Sequence, residues 1–148
     1  AEGVTFEELM DTTAVRLVVF STDSSAEEFG RAVEGIGLSG VTYSVGWTAW
    51  LDVAAAGVTK ASGLEALRTV LHVAPEHTVA VGDGRNDLEM LAWAGRGVAM
   101  GQAVREVKEA ADEVTASVDD HGLADVLWSL VPEADRPEGV RVQEPAAA

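Results

Sequence analysis

The hydrophobic pattern divides the chain into two stretches with different rhythms. Ala1 to Thr13 carries no clear period and is compatible with a loop or with a short helix around Phe6 to Met10. The run Val15 to Phe20 is apolar and rich in β-branched residues, which predicts a strand. Ser24 and Ser25 then stand three residues ahead of Glu27 and Glu28, the spacing of a capping box, so a helix should begin there. Its apolar face is Phe29, Ala32, Val33 and Ile36, and Gly35, Gly37 and Gly40 close it. Two short strands, Val41 to Val45 and Trp47 to Val53, flank Gly46. In the second, Trp47, Ala49, Leu51 and Val53 alternate with Thr48, Trp50 and Asp52, placing the two tryptophans on opposite predicted faces to either side of a half-buried strand. Because Trp47 and Trp50 differ in face, packing explains at most one of them directly.

After Gly57 the pattern becomes a regular alternation of helix and strand. Leu64, Leu67, Val70 and Leu71 form the stripe of a helix from about Ala61 to His72, which Pro75 ends. A buried strand follows at Thr78 to Val81, then a helix through Leu88, Leu91 and Ala92, and a strand at Gly97 to Met100. A helix through Val104 and Val107, a strand near Glu113 to Ala116 and a last helix from Leu123 to Val131 complete the series. Such alternation predicts an α/β fold in which parallel strands are joined by crossovers, part of a doubly wound, Rossmann-like sheet. Beyond Pro132 the chain holds Pro137, Gly139, Pro145 and three final alanines, and is expected to lack fixed structure.

Composition narrows the chemistry. With 148 residues and 47% hydrophobic content the chain can build a core. No run of about eighteen apolar residues and no basic-then-apolar leader is present, so a cytoplasmic protein without a membrane contact is the expectation. The chain begins with Ala1 rather than Met, which suggests a processed or truncated piece. A formal charge of -15 repels phosphate backbones and argues against a nucleic-acid partner. Cysteine is absent, which removes disulfides and thiolate metal sites and leaves oxygen donors, a set suited to Mg2+.

The informative stretch is Gly82-Asp83-Gly84-Arg85-Asn86-Asp87, between an apolar strand and an amphipathic helix. Ligands of open parallel sheets gather beyond the carboxyl ends of the strands, so Asp83 and Asp87 would project into such a crevice. Two carboxylates there call for a cation, and Mg2+ is held by one or two carboxylates with water and phosphate oxygens completing the shell. Asn86 lies at the helix start, where free N–H groups favour phosphate. The same residues would also make an ordinary turn and helix cap. Dinucleotide binding is a poorer reading, since Asp87 occupies the place of the third glycine in Gly-x-Gly-x-x-Gly.

The loop, extended through Leu88-Glu89-Met90-Leu91, Ala94-Gly95 and Gly97-Val98-Ala99-Met100-Gly101, resembles the fourth motif of haloacid dehalogenase-like phosphatases with a C2B-type cap, the Cof-like group. Gly57-Val58-Thr59-Lys60-Ala61-Ser62-Gly63-Leu64 is similar to that group's third motif, Val107 to Ala111 and Glu113 to Thr115 to its closing segment, and His121 to Ala124 to its last helix start. The likeness runs from about Val15 to Leu130. It implies a Mg2+-dependent phosphatase of small phosphorylated metabolites. Asp83 would be a metal ligand, Asp87 would support the metal and the lysine, Asn86 would help hold phosphate, and Lys60 would neutralise phosphoryl charge. Lys60 and Lys108 are the only lysines.

The resemblance also implies an Asp-x-Asp pair at the end of a first strand, and no such pair follows a strand here. Ser21 and Asp23, after Phe20, are the nearest candidates, with serine at the nucleophile's place. Val15 to Val53 instead looks like the second half of the cap. The expected organisation is therefore a cap remnant at 1–57, the carboxyl-terminal part of the hydrolase core at 58–132 and a tail at 133–148. The missing core strand would come from upstream sequence or from another chain, and the chain alone would be inactive. The competing reading is a non-catalytic metal-binding or assembly module that keeps the loop without the chemistry. His72, His77 and His121 show no ligand spacing, and Arg85 is compatible with a solvent-facing role or with an anionic substrate.

Overall fold

The computed structural model describes residues 3–5, 7–8, 11–46, 48–140, 142–143 and 145–148. The candidate helix around Phe6 to Met10 falls largely outside them, and Trp47 wholly so. The chain forms two compact units, Ala1–Val58 and Thr59–Ala148.

The first unit contains an antiparallel sheet and a capped helix. Strands β1 (Arg16–Phe20), β2 (Val41–Val45) and β3 (Trp50–Ala55) lie in the order β1-β3-β2. Helix α1 (Ala26–Ile36) starts where the capping box predicts: the Ser25 hydroxyl accepts from the Glu28 N–H and the Glu28 carboxylate accepts from the Ser25 N–H. Gly37 ends it with φ of 66°, a left-handed conformation that a side chain would oppose. Val33, Ala49 and Leu51 are buried, and the Trp50 ring lies over Gly46. Among the described residues strand β1 pairs with β3 alone, and its Leu17, Val18, Val19 and Phe20 are exposed despite their apolar character. Arg16 forms an ion pair with Asp52 on β3.

The second unit runs α2 (Lys60–Val70), β4 (Val79–Gly82), α3 (Leu88–Trp93), β5 (Arg96–Ala99), α4 (Arg105–Glu109), β6 (Glu113–Val114), α5 (Gly122–Ser129) and β7 (Ala146–Ala147). The sheet order is β4-β5-β6-β7, with β4, β5 and β6 parallel, as the alternation of elements predicts. Its core is Ala80, Leu91, Ala99, Ala103 and Val107, with Leu88, Met90 and Val114 packed around it. Gly97 is a close-packing position, since a Cβ there would lie 2.3 Å from the Leu91 carbonyl oxygen where α3 crosses β5.

Three expectations differ from the structure. The strand near Glu113 to Ala116 is regular over Glu113–Val114 only; beyond it the Thr115 N–H still donates to the Ala99 carbonyl and the Ala116 carbonyl accepts from the Gly101 N–H, while the Thr115 hydroxyl donates to the Gly122 carbonyl. The segment after Pro132 is not without regular structure: Glu133–Asp135 form a 3-10 turn and β7 pairs antiparallel with β6, where the small alanine side chains let the chain lie along that edge. The predicted stripe of α2 is largely in solvent, with Leu67, Val70 and Leu71 exposed, as are Leu123, Leu127 and Leu130 in and after α5. Periodicity marks an apolar face and not what covers it. Among the described residues no helix is long and apolar enough to cross a membrane.

Candidate active site

Strand β4 ends at Gly82, and the chain passes through Asp83 and Gly84 into a 3-10 turn, Arg85–Asp87, that feeds α3. What shapes this loop is the side chain of Asp87, 4% exposed, folding back over it. One carboxylate oxygen, Oδ2, accepts from the N–H groups of Asp83 at 3.1 Å and Gly84 at 3.0 Å. The approach is tight enough to need Gly82, where a Cβ would sit 2.5 Å from that of Asp87. The other oxygen, Oδ1, accepts from Lys60 Nζ.

Lys60 is the first residue of α2. Thr59 caps that helix, its hydroxyl accepting from Ser62 N–H while the Ser62 hydroxyl accepts from Thr59 N–H. A cation in the first turn opposes the helix dipole, an unfavourable placement by about 0.3–1 kcal/mol at an exposed site. The Asp87 carboxylate offsets that. Lys60 keeps roughly half of its side chain exposed, at 49%, against 6% for Asp87, so the ammonium has open directions beyond the ion pair.

A second network holds α2 against α3. Glu65 takes a two-pronged bond from Arg68, with Nε at 2.8 Å and Nη2 at 2.5 Å, and a third from the Trp93 indole N–H at 2.9 Å. Arg68 also donates to the Val73 carbonyl at 2.6 Å. The hydrogen bonds from Arg68 first, and from Trp93 next, pull the Glu65 carboxyl down to about 2.

Asp83, half-buried, accepts at Oδ2 from Gln102 Nε2 at 3.1 Å, and Gln102 Oε1 accepts from the Val118 N–H at 3.0 Å. Asn86 is exposed on the turn with its amide oxygen close to Gly84. Arg85 pairs with Glu106 of α4 at 2.8 Å. His72, His77 and His121 are exposed and stand at helix or turn ends.

The structure thus brings Lys60, at the start of α2, into contact with Asp87 beside Asp83. Asp87, expected to support the metal and the lysine, has one oxygen bonded to Lys60 and the other to two backbone amides. Among the described residues no group of three or more His, Cys, Asp or Glu stands together. The donor chemistry fits Mg2+ as part of a shell: Asp83 offers a hard oxygen, and Mg2+ takes few protein ligands in any case. Ser21 and Asp23 follow β1, in the antiparallel sheet of the first unit, whereas Asp83 follows β4 in the parallel sheet of the second. Gln102, Glu65 and Trp93 were not singled out from sequence. For Gln102 a signal existed, since it follows β5 as Asp83 follows β4, and both strands end on the same side of a parallel sheet.

Comparison with known proteins identifies the family. Residues 2–127 match the haloacid dehalogenase-like hydrolase family model. A putative phosphatase of Bacillus subtilis, YkrA, is 48% identical over 79 residues, 53% of this chain and 31% of that protein. A phosphoglycolate phosphatase of Methanopyrus kandleri is 35% identical over 118 residues, 80% of this chain and 51% of that protein. A solved phosphatase of the haloalkanoate superfamily from Bacteroides thetaiotaomicron superposes with a TM-score of 0.68 at 35% identity, over 85% of this chain and 46% of its own. The chain therefore spans about half, or less, of the length of these relatives. A parallel sheet ending in an acidic loop, a lysine braced against its second aspartate, and a family match over most of the sequence converge: the chain belongs to the haloacid dehalogenase-like hydrolases.

Proposed function

We propose that the protein is a Mg2+-dependent phosphatase of small phosphorylated metabolites, and that this chain carries the lysine-bearing part of its core together with part of a cap. The observation that carries the reading is the Lys60–Asp87 pair set directly against the Asp83 loop. An ammonium held there, half open to solvent, is placed to meet the equatorial oxygens of a phosphoryl group and to stabilise charge during in-line displacement. Asp87 keeps that ammonium aimed and its loop closed. Asn86 offers its amide to phosphate beside the exposed turn. Mg2+, when bound at Asp83, supplies charge neutralisation at the transferring group. Relatives acting on a compound such as phosphoglycolate support a small phosphorylated substrate.

The attacking carboxylate is not among the elements described, and we place it in a strand supplied by sequence outside this stretch or by another chain. The exposed Leu67, Val70, Leu71, Leu123 and Leu127 support that part of the proposal, since scattered apolar residues are common on surfaces but stripes on two helices of one unit point to covering elements. The test is binding of inorganic phosphate to the purified chain in the presence of Mg2+, by titration calorimetry, with turnover of p-nitrophenyl phosphate followed in parallel. Phosphate binding that Lys60→Met and Asp83→Ala each abolish, without turnover, is the expected result. Phosphate binding indifferent to both substitutions would sink the assignment. Mg2+-dependent turnover lost in Asp83→Ala would show that the chain needs no added nucleophile.

A further inference from the structure

We infer that Gln102 is a positioning residue that sets the rotamer of Asp83 and so decides which of its oxygens faces a cation; this rests on reading Asp83 as the metal-facing carboxylate. The two partners of the Gln102 amide fix which end points where. The Val118 N–H can only donate, so the atom at 3.0 Å from it must be the Gln102 oxygen. The NH2 group is then at the other end, and at 3.1 Å it meets Asp83 Oδ2, which only accepts. Both partners demand the same orientation, and the usual ambiguity of a glutamine amide is removed.

The contact has a mechanical meaning. Asp83 follows β4, Gln102 follows β5, and Val118 lies in the loop after β6, so one side chain laces together the carboxyl ends of three adjacent parallel strands. The backbone adds two ties in the same place, Met100 N–H to the Gly82 carbonyl at 2.9 Å and Gly101 N–H to the Ala116 carbonyl at 3.0 Å. A Cβ at Gly101 would lie 2.7 Å from the Ser117 nitrogen, so the β5 and β6 loops are already in contact where Gln102 departs. Engaging Oδ2 leaves Oδ1 as the free ligand and stops the carboxylate from rotating between its two oxygens. An outer partner that orients a ligating carboxylate in this way typically contributes 10–100-fold to metal affinity. Gln102 is exposed, and the lower end of that range applies.

The experiment uses the whole chain and Mn2+ alone as probe, its free concentration read by electron paramagnetic resonance. Wild type, Asp83→Asn and Gln102→Leu are compared, and the Gln102 side-chain NH2 resonances of wild type are followed by 1H–15N NMR during a Mg2+ titration. The expected results are loss of binding in Asp83→Asn, weakening of about tenfold in Gln102→Leu, and a saturable shift of the Gln102 NH2 signals that tracks Mg2+ occupancy. A role confined to tethering the Val118 loop would not produce that last signature. Binding lost in Asp83→Asn but kept within twofold in Gln102→Leu, or NH2 signals that stay still while the site fills, overturns the inference and leaves the reading of Asp83 intact. Binding unaffected by Asp83→Asn, or absent from wild type, overturns both.

Discussion

Replacing Asp87 separates the ion pair from the loop brace, because its two oxygens serve different partners. Asp87→Ala strips the acceptor from two backbone N–H groups, those of Asp83 and Gly84, at 3.1 and 3.0 Å. A desolvated donor left without a partner costs about 1–3 kcal/mol, and a half-exposed loop that water can partly reach belongs at the low end, so the pair is worth about 2 kcal/mol. Loss of the Lys60 contact adds little, about 0.5–1 kcal/mol, since 49% of that side chain is exposed and the ammonium rehydrates. The expected destabilisation is about 3 kcal/mol. Asp87→Asn keeps one carbonyl oxygen for the two amides, but neutral hydrogen bonds are roughly half as strong as charge-assisted ones, and it offers Lys60 no counter-charge. We expect about 1–2 kcal/mol for it. Because the chain has two compact units, a single unfolding midpoint is a poor measure, and exchange protection at the fully buried Val98 amide reports opening of the second unit directly. Should Asn match Ala in loss of protection, the ion pair and not the amide brace would be the stabilising element; should both stay within 0.5 kcal/mol of wild type by the error scale of such differences, the brace argument fails altogether.

Two further outcomes follow from the packing and the charge network. Leu91 is 1% exposed among Ala80, Ala99, Ala103 and Val107, so Leu91→Ala opens a cavity between α3 and the sheet and should cost about 2–5 kcal/mol by the same exchange measurement; a loss below 1 kcal/mol would mean that the site collapses freely. Glu65, with its carboxyl held at about 2 against an ordinary 4.5, stabilises the folded chain above pH 4.5, and that contribution fades as pH falls toward 2. Urea stability of wild type relative to Glu65→Gln should therefore narrow across that window, and a gap that widens on acidification would contradict the sign.

What the sequence conveyed and what it withheld divide along a physical line. Helix α1 was legible because its capping box is local, Ser25 and Glu28 being near neighbours in the chain. The Asp83–Asp87 loop was legible because strand, glycines and helix follow one another without interruption. Lys60 needed the family resemblance, since nothing within its own helix marks it, and the ion pair that gives it meaning spans 27 positions. Gln102 was marked only by its place after β5, because its two partners lie 19 and 16 residues away. The roles of the two aspartates could not be told apart from residue type, because what separates them is which oxygens are already occupied. The β6–β7 pairing escaped notice since alanines carry little strand preference, and two residues beside an existing edge need little.

The indole of Trp93 leans on Glu65, five residues along the same helix from Lys60, and that gives the molecule its own optical gauge. An emission difference between the chain and a Trp93→Phe variant isolates this one fluorophore from the other tryptophans. Any event that lifts the helix away from its neighbour, whether a crowded phosphate ester or an arriving partner, would change the polarity around that ring. Seating of the lysine arm can then be followed in real time, without a label and without turnover.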